Sequence, residues 1–425
     1  MFRRTGRAWV AVPLLITGLV AGACSSSKSS STPATTAATG GATTTAGGGS
    51  ATSAAPTTAA GPTGSVINVG VIASLTGAQA SSSDQAATVG PAWEAWVNAN
   101  GGISGHPVKV YVEDDAGDPA KAQAAEQDLV GSKNVIAIVV GSDNEVAAFD
   151  ADALSKGVAI ISGTANSTDW YTKAGMFATV TGVLPGLASQ MAVAKNYGHA
   201  TKFADLYCSE IAACQQANPI LQQQATKAGI AFTSLAVSST APSYTAQCIQ
   251  LQQEKVDYAQ LNFEASAAAK FVQDCQAQGY NPTWGSSEQA AGAAFSSLQN
   301  FTMYGPAYSF PSTADAPPAQ TFRTAMQKYA KDNNWREGAA SFTWDGLQTL
   351  AKALTGAGAS PTRQDVLTGL YGFSGENLGG ELANKLTFTQ GKASGFTFNT
   401  CYFVVGMKGG QVTAPAGLTP QCPSS

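Results

Sequence analysis

Val66-Ile-Asn-Val-Gly-Val-Ile-Ala73 is a short apolar run rich in β-branched residues, the composition of a strand covered on both faces. Similar runs recur at 108–112, 135–140, 158–161, 203–207, 230–237 and 258–263. Between them lie stretches of helical length, rich in Ala, Gln and Lys, at 119–131, 145–156, 184–197, 212–229 and 265–279. Buried strands alternating with helices predict parallel sheets built from right-handed βαβ units. Seven strands and more are too many for one small sheet, so the expected fold class is α/β with two doubly wound parallel-sheet lobes. In such sheets ligands sit at the carboxyl ends of strands, at the switch point. No P-loop occurs and no G-x-G-x-x-G follows a strand, so the usual phosphate cradles are missing.

The length of 425 residues also exceeds one ordinary core, since domains usually hold roughly 100–200 residues. Only 12% of the residues are charged, about half the usual share of roughly 25%. Residues 1–64 contain Arg3, Arg4, Arg7 and Lys28 and no acid, so 19 of the 23 basic residues face all 27 acidic ones in the remainder, a net −8. That balance excludes a nucleic-acid footprint, which requires clustered Lys and Arg. No run beyond the N-terminus approaches the ~20 apolar residues of a spanning helix, so a polytopic membrane protein is excluded as well.

The first 64 residues carry no fold signal. Arg3, Arg4 and Arg7 precede the uncharged apolar residues 8–20, broken by Pro13 and Gly18, which reads as a signal peptide over residues 1–23. Ala21-Gly22-Ala23-Cys24 then resembles a bacterial lipobox, and the resemblance implies a mature chain that begins at lipidated Cys24. Several acyl chains anchor stably where one does not. From Ser25 to Gly64 every residue except Lys28 is Ser, Thr, Ala, Gly or Pro. With no large apolar side chain to bury, residues 24–64 are expected to be a disordered tether reaching roughly 35 Å r.m.s..

With Cys24 set aside, Cys208, Cys214, Cys248, Cys275, Cys401 and Cys422 remain, an even number in a compartment that permits disulfides. Fifteen connectivities are possible. Pairing of near neighbours, 208 with 214, 248 with 275 and 401 with 422, is favoured because each pair lies in or beside one local unit. The spacings match no zinc pattern, and only His106 and His199 could supply imidazole, so no metal and no cofactor are expected.

Beyond these patterns, Ile67-Asn-Val-Gly-Val-Ile-Ala-Ser-Leu-Thr-Gly77, Asn98-Ala-Asn-Gly-Gly-Ile-Ser-Gly105, Val110-Tyr-Val-Glu-Asp-Asp-Ala-Gly-Asp-Pro119, Gly157-Val-Ala-Ile-Ile-Ser162 and Phe342-Thr-Trp-Asp-Gly346 occur in the order and spacing of a known family. The chain resembles the type 1 periplasmic binding proteins of the Leu/Ile/Val-binding family, the solute receptors of branched-chain amino-acid ABC importers, over most of residues 66–405. Gly90-Pro91 departs from the pattern inside the first helix, where proline should kink it. The resemblance implies two lobes joined by a three-crossing hinge, lobe one 66–184 plus 310–385 and lobe two 185–309 plus 386–425. All six remaining cysteines then fall in lobe two.

The resemblance also supplies site candidates. In the family a serine after the third strand, and backbone amides with a hydroxyl after the fourth, hold the ligand's carboxylate. The matching positions are Ser142, or Asp143 if the loop shifts by one, and Thr164, Ala165 and Asn166. Small side chains there permit close backbone approach by an anion, although Ser142 and Asn166 also suit helix caps. The ammonium partner corresponds to Glu288 in Trp284-Gly-Ser-Ser-Glu288, which would equally suit a helix start. Ser82 and Ala212 stand where the family often has tyrosine, and Glu264 stands near a third such place. Trp170 and Tyr171 could supply a replacement wall, or equally pack over a lobe edge.

Other residues read as structural. Trp93 and Trp96, three apart, suit a helix face packed on the sheet. Asp114 and Asp115 stand at a strand end before Gly117 and Asp118, where a turn and helix start account for them better than acid–base chemistry. His106 and His199 are loop residues with no evident partner. The implied function is non-enzymatic: an extracytoplasmic lipoprotein on the outer face of the cell membrane, monomeric, that captures an amino acid or similar small polar metabolite. Its partners are that ligand and an ABC permease, with no nucleic acid and with membrane contact through the lipid alone. A sensor subunit signalling to a membrane partner is the alternative. An exported hydrolase is disfavoured because no nucleophile elbow occurs and histidine is scarce.

Overall fold

Successive side chains on a strand point to opposite faces, so the apolar run at 67–73 demands cover on both sides. The computed structural model describes residues 61–422, apart from 143–144, 163–164, 166, 211, 288–294, 296, 299, 310–316, 338, 394–400 and 410. The expected signal peptide and nearly all of the tether lie outside the described residues. The described ones all belong to one compact unit.

Five parallel strands form the first sheet: β1 (Ile67–Ala73), β2 (Val108–Asp114), β3 (Ala137–Val140), β4 (Ala159–Ser162) and β5 (Met176–Ala178), in the order β2-β1-β3-β4-β5. Between them run α1 (Ala86–Ala99), α2 (Pro119–Gln127), α3 (Asp150–Ser155) and α4 (Asp169–Thr172). Ile67, Val69, Val71 and Ala73, with Ala137 and Val139, join the core that includes Val89 and Trp93 of α1. Ile72, Ile138 and Val140 join the opposite core with Leu129, Phe149 and Trp170. The alternation read from sequence therefore maps directly onto two helical layers.

The helix α5 (Val183–Asn196) leads into a second unit of βαβ type: β6 (Lys202–Cys208), α6 (Ala212–Gln216), α7 (Asn218–Ala228), β7 (Ala231–Val237), α8 (Thr245–Gln253), β8 (Tyr258–Asn262), α9 (Ala265–Ala277), β9 (Thr283–Gly285) and β10 (Thr302–Ala307). The chain then returns through α10 (Pro317–Tyr329), α11 (Ala340–Ala353) and α12 (Arg363–Tyr371), which pack on α1 and the first sheet. A hairpin follows, β11 (Ser374–Glu376) with β12 (Leu386–Thr387). Finally β13 (Phe403–Lys408) pairs antiparallel with β10, and β14 (Gln411–Thr413) antiparallel with β13, giving the order β14-β13-β10-β9-β8-β6-β7.

Three stretches differ from the sequence reading. The stretch 145–156 is a 3-10 turn (Val146–Ala148) followed by the shorter α3. The stretch 212–229 divides into α6 and α7, because Pro219 suits a helix start and not an interior. The first helix runs continuously through Pro91, which stands in its second turn. A Cβ on Gly90 would come within 2.9 Å of Val112 Cγ2, so the glycine lets α1 lie close to β2.

The chain changes sheets after β5, after β10 and after β12, and these passages are stitched together. Ala383 N–H donates to the Tyr308 carbonyl at 2.8 Å, and Ser309 bridges Leu382. Asn384 Nδ2 donates to Thr181 Oγ1 at 2.8 Å, and its Oδ1 accepts from Cys401 N–H at 2.8 Å. Leu386 and Phe388 remain in the first-sheet core, with the Phe388 ring 5.0 Å from that of Phe177. The hairpin thus carries the chain past residue 385, the expected point of return, before it crosses for the last time.

Beside these stitches lie the fully buried Asp345 and the nearly buried Glu381. A Cβ on Gly346 would come within 2.5 Å of Val139 Cγ1, so α11 presses on β3 and encloses its neighbour Asp345. Burial first, then the Glu381 charge, raises the Asp345 carboxyl well above its ordinary value. Burial raises Glu381 to about 7, against the hydrogen bonds of its neighbours. At the amino edge of the first sheet, His106 Nδ1 and Nε2 each lie 2.9 Å from a carbonyl oxygen, of Ser65 and Gly358 respectively, and fasten the chain where it enters β1.

All three near-neighbour disulfides form: Cys208–Cys214, Cys248–Cys275 and Cys401–Cys422. Each ties elements of the second sheet's layers. Closing the loop of 27 residues between Cys248 and Cys275 is worth about 3.5 kcal/mol by chain entropy. A Cys248→Ala/Cys275→Ala chain should therefore unfold at clearly lower denaturant than the oxidised parent, and an unchanged midpoint would refute this.

Stability should also depend on pH. Carboxyls whose folded values are raised bind protons that the unfolded chain has released, so their contribution is complete below about pH 4 and is lost as pH rises toward their folded values. Burial likewise lifts Asp205 to about 7. Melting temperature should fall between about pH 4 and pH 7, and Glu381→Gln should flatten part of that slope; a slope identical in the variant would show that Glu381 does not titrate there.

Candidate functional site

Where the order of a parallel sheet reverses, adjacent loops leave the carboxyl edge in opposite directions and open a crevice. In the first sheet this point lies between β1 and β3. After β1, Ser74 Oγ donates to Asp115 Oδ1 at 2.6 Å, and Ser83 Oγ donates to the Ser74 carbonyl at 2.8 Å. Asp114 Oδ1 accepts from the amides of Leu75 and Thr76, and its Oδ2 from Thr76 Oγ1 at 2.6 Å. Burial would raise Asp114, but the Thr76 hydroxyl and the amides of Ala116, Thr76 and Leu75 outweigh it and hold the carboxyl below its usual value. Asp118 caps α2 through the amides of Ala120 and Lys121. The two aspartates are therefore turn anchors, and the loop they fix runs on to the 3-10 turn Ala80–Ser82.

After β3 comes Gly141, where a Cβ would meet Ala73 Cβ and Thr343 Oγ1 at 3.1 Å. Its neighbour Ser142 is buried, 8% exposed, at the switch point. After β4, the Ala165 carbonyl accepts from Tyr171 Oη at 2.8 Å. A Cβ on Gly182 would overlap that carbonyl at 1.8 Å, so the loop after β4 is held against the start of α5. Trp170 is fully enclosed in the core with Phe149 and Met176. The indole is turned away from solvent, and the Tyr171 hydroxyl is spent on the loop. Asp143, Thr164, Asn166 and Glu288 lie outside the described residues, as does Cys24.

In the second sheet the corresponding reversal lies between β6 and β8. Asn262 ends β8 and is fixed from three sides. Its Nδ2 donates to Asp205 Oδ1 at 2.7 Å and to Gln190 Oε1 at 3.3 Å, while its Oδ1 accepts from Gln190 and Gln260 Nε2, each at 3.3 Å. Burial lifts Asp205 to about 7, opposed by Asn262. Two residues further, Glu264 caps α9, its Oε2 accepting from the Ala267 amide at 2.9 Å and Ser266 Oγ at 2.7 Å. The helix so capped packs against the 3-10 turn that carries Ser82, and this turn is where a loop of the first sheet reaches a helix of the second.

Ser82, Ser142 and Ala165 therefore all stand on loops at the carboxyl edge of the first sheet. Sequence reading missed the Asp205–Asn262 network, although a lone acid inside the apolar run at 203–207 was the signal for it. The described edges offer hydroxyls, amides and carboxylates, a set that holds a small polar molecule by hydrogen bonds and charge.

A family model described as periplasmic binding protein matches residues 66–411. Among solved structures, a branched-chain amino acid ABC transporter protein from Thermus thermophilus with bound valine is 14% identical, with a TM-score of 0.71 over 84% of this chain and 97% of that one. The substrate binding protein LivJ from Streptococcus pneumoniae in complex with isoleucine is 16% identical, with a TM-score of 0.67 over 84% of this chain and 100% of that one. A solute binding protein from R. palustris in complex with benzoate is 17% identical, with a TM-score of 0.65 over 85% and 98%. No curated protein matches the chain. At these identities the structural likeness speaks for the fold, and the family model, which spans both sheets and the crossings between them, speaks for descent. The chain belongs to the periplasmic binding protein family, in its type 1 form with two parallel-sheet lobes.

Proposed function

We propose that the chain is an extracytoplasmic solute-binding lipoprotein, non-enzymatic and monomeric, that captures an amino acid or similar small polar metabolite between its lobes and delivers it to an ABC importer. One observation carries this reading: two sheets with the same reversal of strand order are linked by three stitched passages, and the loop after β1 reaches across to α9. The lobes are taken as 66–184 plus 310–388 and 185–309 plus 389–425, with the last boundary after Phe388 because that ring packs on Phe177.

Ser142, or Asp143 if the loop shifts by one, and the amide of Ala165 hold the ligand's carboxylate, with Thr164 and Asn166 from the loop after β4. Ser82 lines the cleft and Glu288 takes the ammonium. The small side chains at these places leave the backbone open to an anion. Closure follows from contacts that one ligand makes to both lobes at once. The lipid on Cys24 and the low-complexity stretch that follows it keep the receptor near its permease.

A thermal-shift screen of the detergent-solubilised full chain against amino acids, amides and small aromatic acids tests the reading. At ligand near 100 times its dissociation constant the stabilisation is about 2.7 kcal/mol, a shift of several degrees. Ser142→Ala should lose most of that response at the same concentration. Silence across the whole screen, or turnover of an ester or amide that disappears with Ser142→Ala, would overturn the proposal.

A further inference from the structure

Asp345 stands within α11 and is fully buried, and Glu381, 5% exposed, follows the 3-10 turn Leu378–Gly380. Their side chains meet within hydrogen-bonding reach of one another. No donor completes a hydrogen bond to either oxygen of Asp345 or to Glu381 Oε1. Two carboxylates that face each other out of water repel, whereas a proton between them turns the same contact into a hydrogen bond. Burial, foremost, and the Glu381 charge hold Asp345 neutral against the Ser309 hydroxyl, and burial also outweighs the hydrogen bonds that Asp345 and Trp344 offer to Glu381. The pair therefore keeps a shared proton and titrates as one unit.

Among the described residues no cation answers the pair. Glu94 of α1 is paired with Lys109, Lys352 of α11 with Glu376, and Arg363 of α12 reaches the carbonyls of Val130 and Val135. Arg336, in the 3-10 turn Asn334–Arg336, lies over the Trp335 ring, and Lys328 of α10 over that of Tyr329. The strands β3 and β4 carry no titratable residue. None of these groups, nor Tyr308, Arg323, Glu337, Asp365 or Lys385, is among those that act on either carboxyl.

The two partners are not equally free to part. A Cβ on Gly346 would come within 2.5 Å of Val139 Cγ1, and one on Gly141 within 3.1 Å of Thr343 Oγ1, so α11 is wedged against β3 and its loop on both sides of Asp345. Glu381 instead follows three residues of left-handed backbone, Leu378 at φ 53°, Gly379 at 72° and Gly380 at 98°. A leucine there is strained, and a Cβ on either glycine would meet nothing within 4 Å, so this turn has room to move. Whatever moves Glu381 also moves its successors. Leu382 bridges Ser309, Ala383 N–H donates to the Tyr308 carbonyl, and Asn384 is bonded to Thr181 and Cys401.

We infer that Asp345 and Glu381 form a proton-operated catch on the hinge: the shared proton holds the segment 381–384 against α11, keeping the three passages joined, and the segment opens as the proton leaves. This goes beyond the solute-binding reading and does not depend on the ligand. In the opened segment both carboxyls meet water and ionise near their ordinary values of about 4. Opening therefore releases two protons while the closed pair holds both, and one above about pH 7, where Glu381 is already ionised. Each proton released makes opening about tenfold more favourable per pH unit. The hinge is stiff in acid and loosens in alkali.

Hydrogen exchange of the solubilised full chain between about pH 5 and pH 8.5, read on the peptide that holds the Leu382 and Ala383 amides, tests the catch. Their protection, corrected for the intrinsic exchange rate, should fall about a hundredfold per pH unit below pH 7 and about tenfold per unit above it. At every pH it should be weaker than that of the β1 amides, which an interior strand exposes only on global unfolding. Asp345→Asn, whose amide can donate to the Glu381 carboxylate, should show no slope above pH 7. Protection independent of pH in the parent, or an unchanged slope in Asp345→Asn, overturns the inference. So does protection equal to that of β1 throughout, because the segment then opens only with the whole fold. Should Asp345→Asn fail to fold, Glu381→Gln decides: its slope below pH 7 should drop to about tenfold per unit, and the parent's slope there counts against the catch. Binding or silence in the ligand screen bears on none of these outcomes.

Discussion

Two sheets that share no strand are joined where the chain passes between them, by hydrogen bonds and by one apolar cluster that takes in Phe177 and Val180 with Val193, Tyr308, Tyr402 and Val404. The backbone bond from Ala383 to Tyr308 and the Asn384 side chain, which touches Thr181 and Cys401 at once, join all three passages. The packing beside this seam is close, as the overlap of an added Cβ on Gly346 with Val139 shows. The buried Asp345 and Glu381 beside the seam place ionisable groups where a small movement alters their solvation most.

The same strand order in both sheets explains how the candidate site is assembled. Each reversal presents two loops at a carboxyl edge, and the residues there are fixed by neighbours rather than left to find their positions. Asp114 holds the loop that leads to Ser82, and Gly141 sets the approach of Ser142. Asn262 is held between Asp205, Gln190 and Gln260 before the chain reaches Glu264. Anchored loops of this kind lose little freedom on meeting a ligand, which preserves affinity.

Most of the parallel strands were legible in the sequence because burial on both faces leaves continuous apolar runs. The strands β5 and β9 were not, since three residues each make no pattern, and Gly305-Pro306 hides β10. The strands β13 and β14 run antiparallel at an edge, outside the βαβ rhythm that guided the rest. At the site, the loops around Ser142 and Ala165 came from family resemblance, and Trp170, read there as wall or packing, is buried. Glu264 was noticed only as a tyrosine-position departure. Its part in capping α9, a helix that meets the turn at Ala80–Ser82, needs the third dimension, because that turn is some 180 positions away in sequence.

The His106 clamp has a mechanical consequence. It fastens the chain at Ser65, immediately before β1, at the amino edge of the first sheet and so at the end remote from Ser142. β1 is an interior strand, bonded to β2 along one side and to β3 along the other. Tension entering through the N-terminal segment therefore runs along β1 and loads both ladders together in shear, rather than peeling one bond at a time. The seam between the sheets stays outside that line of force.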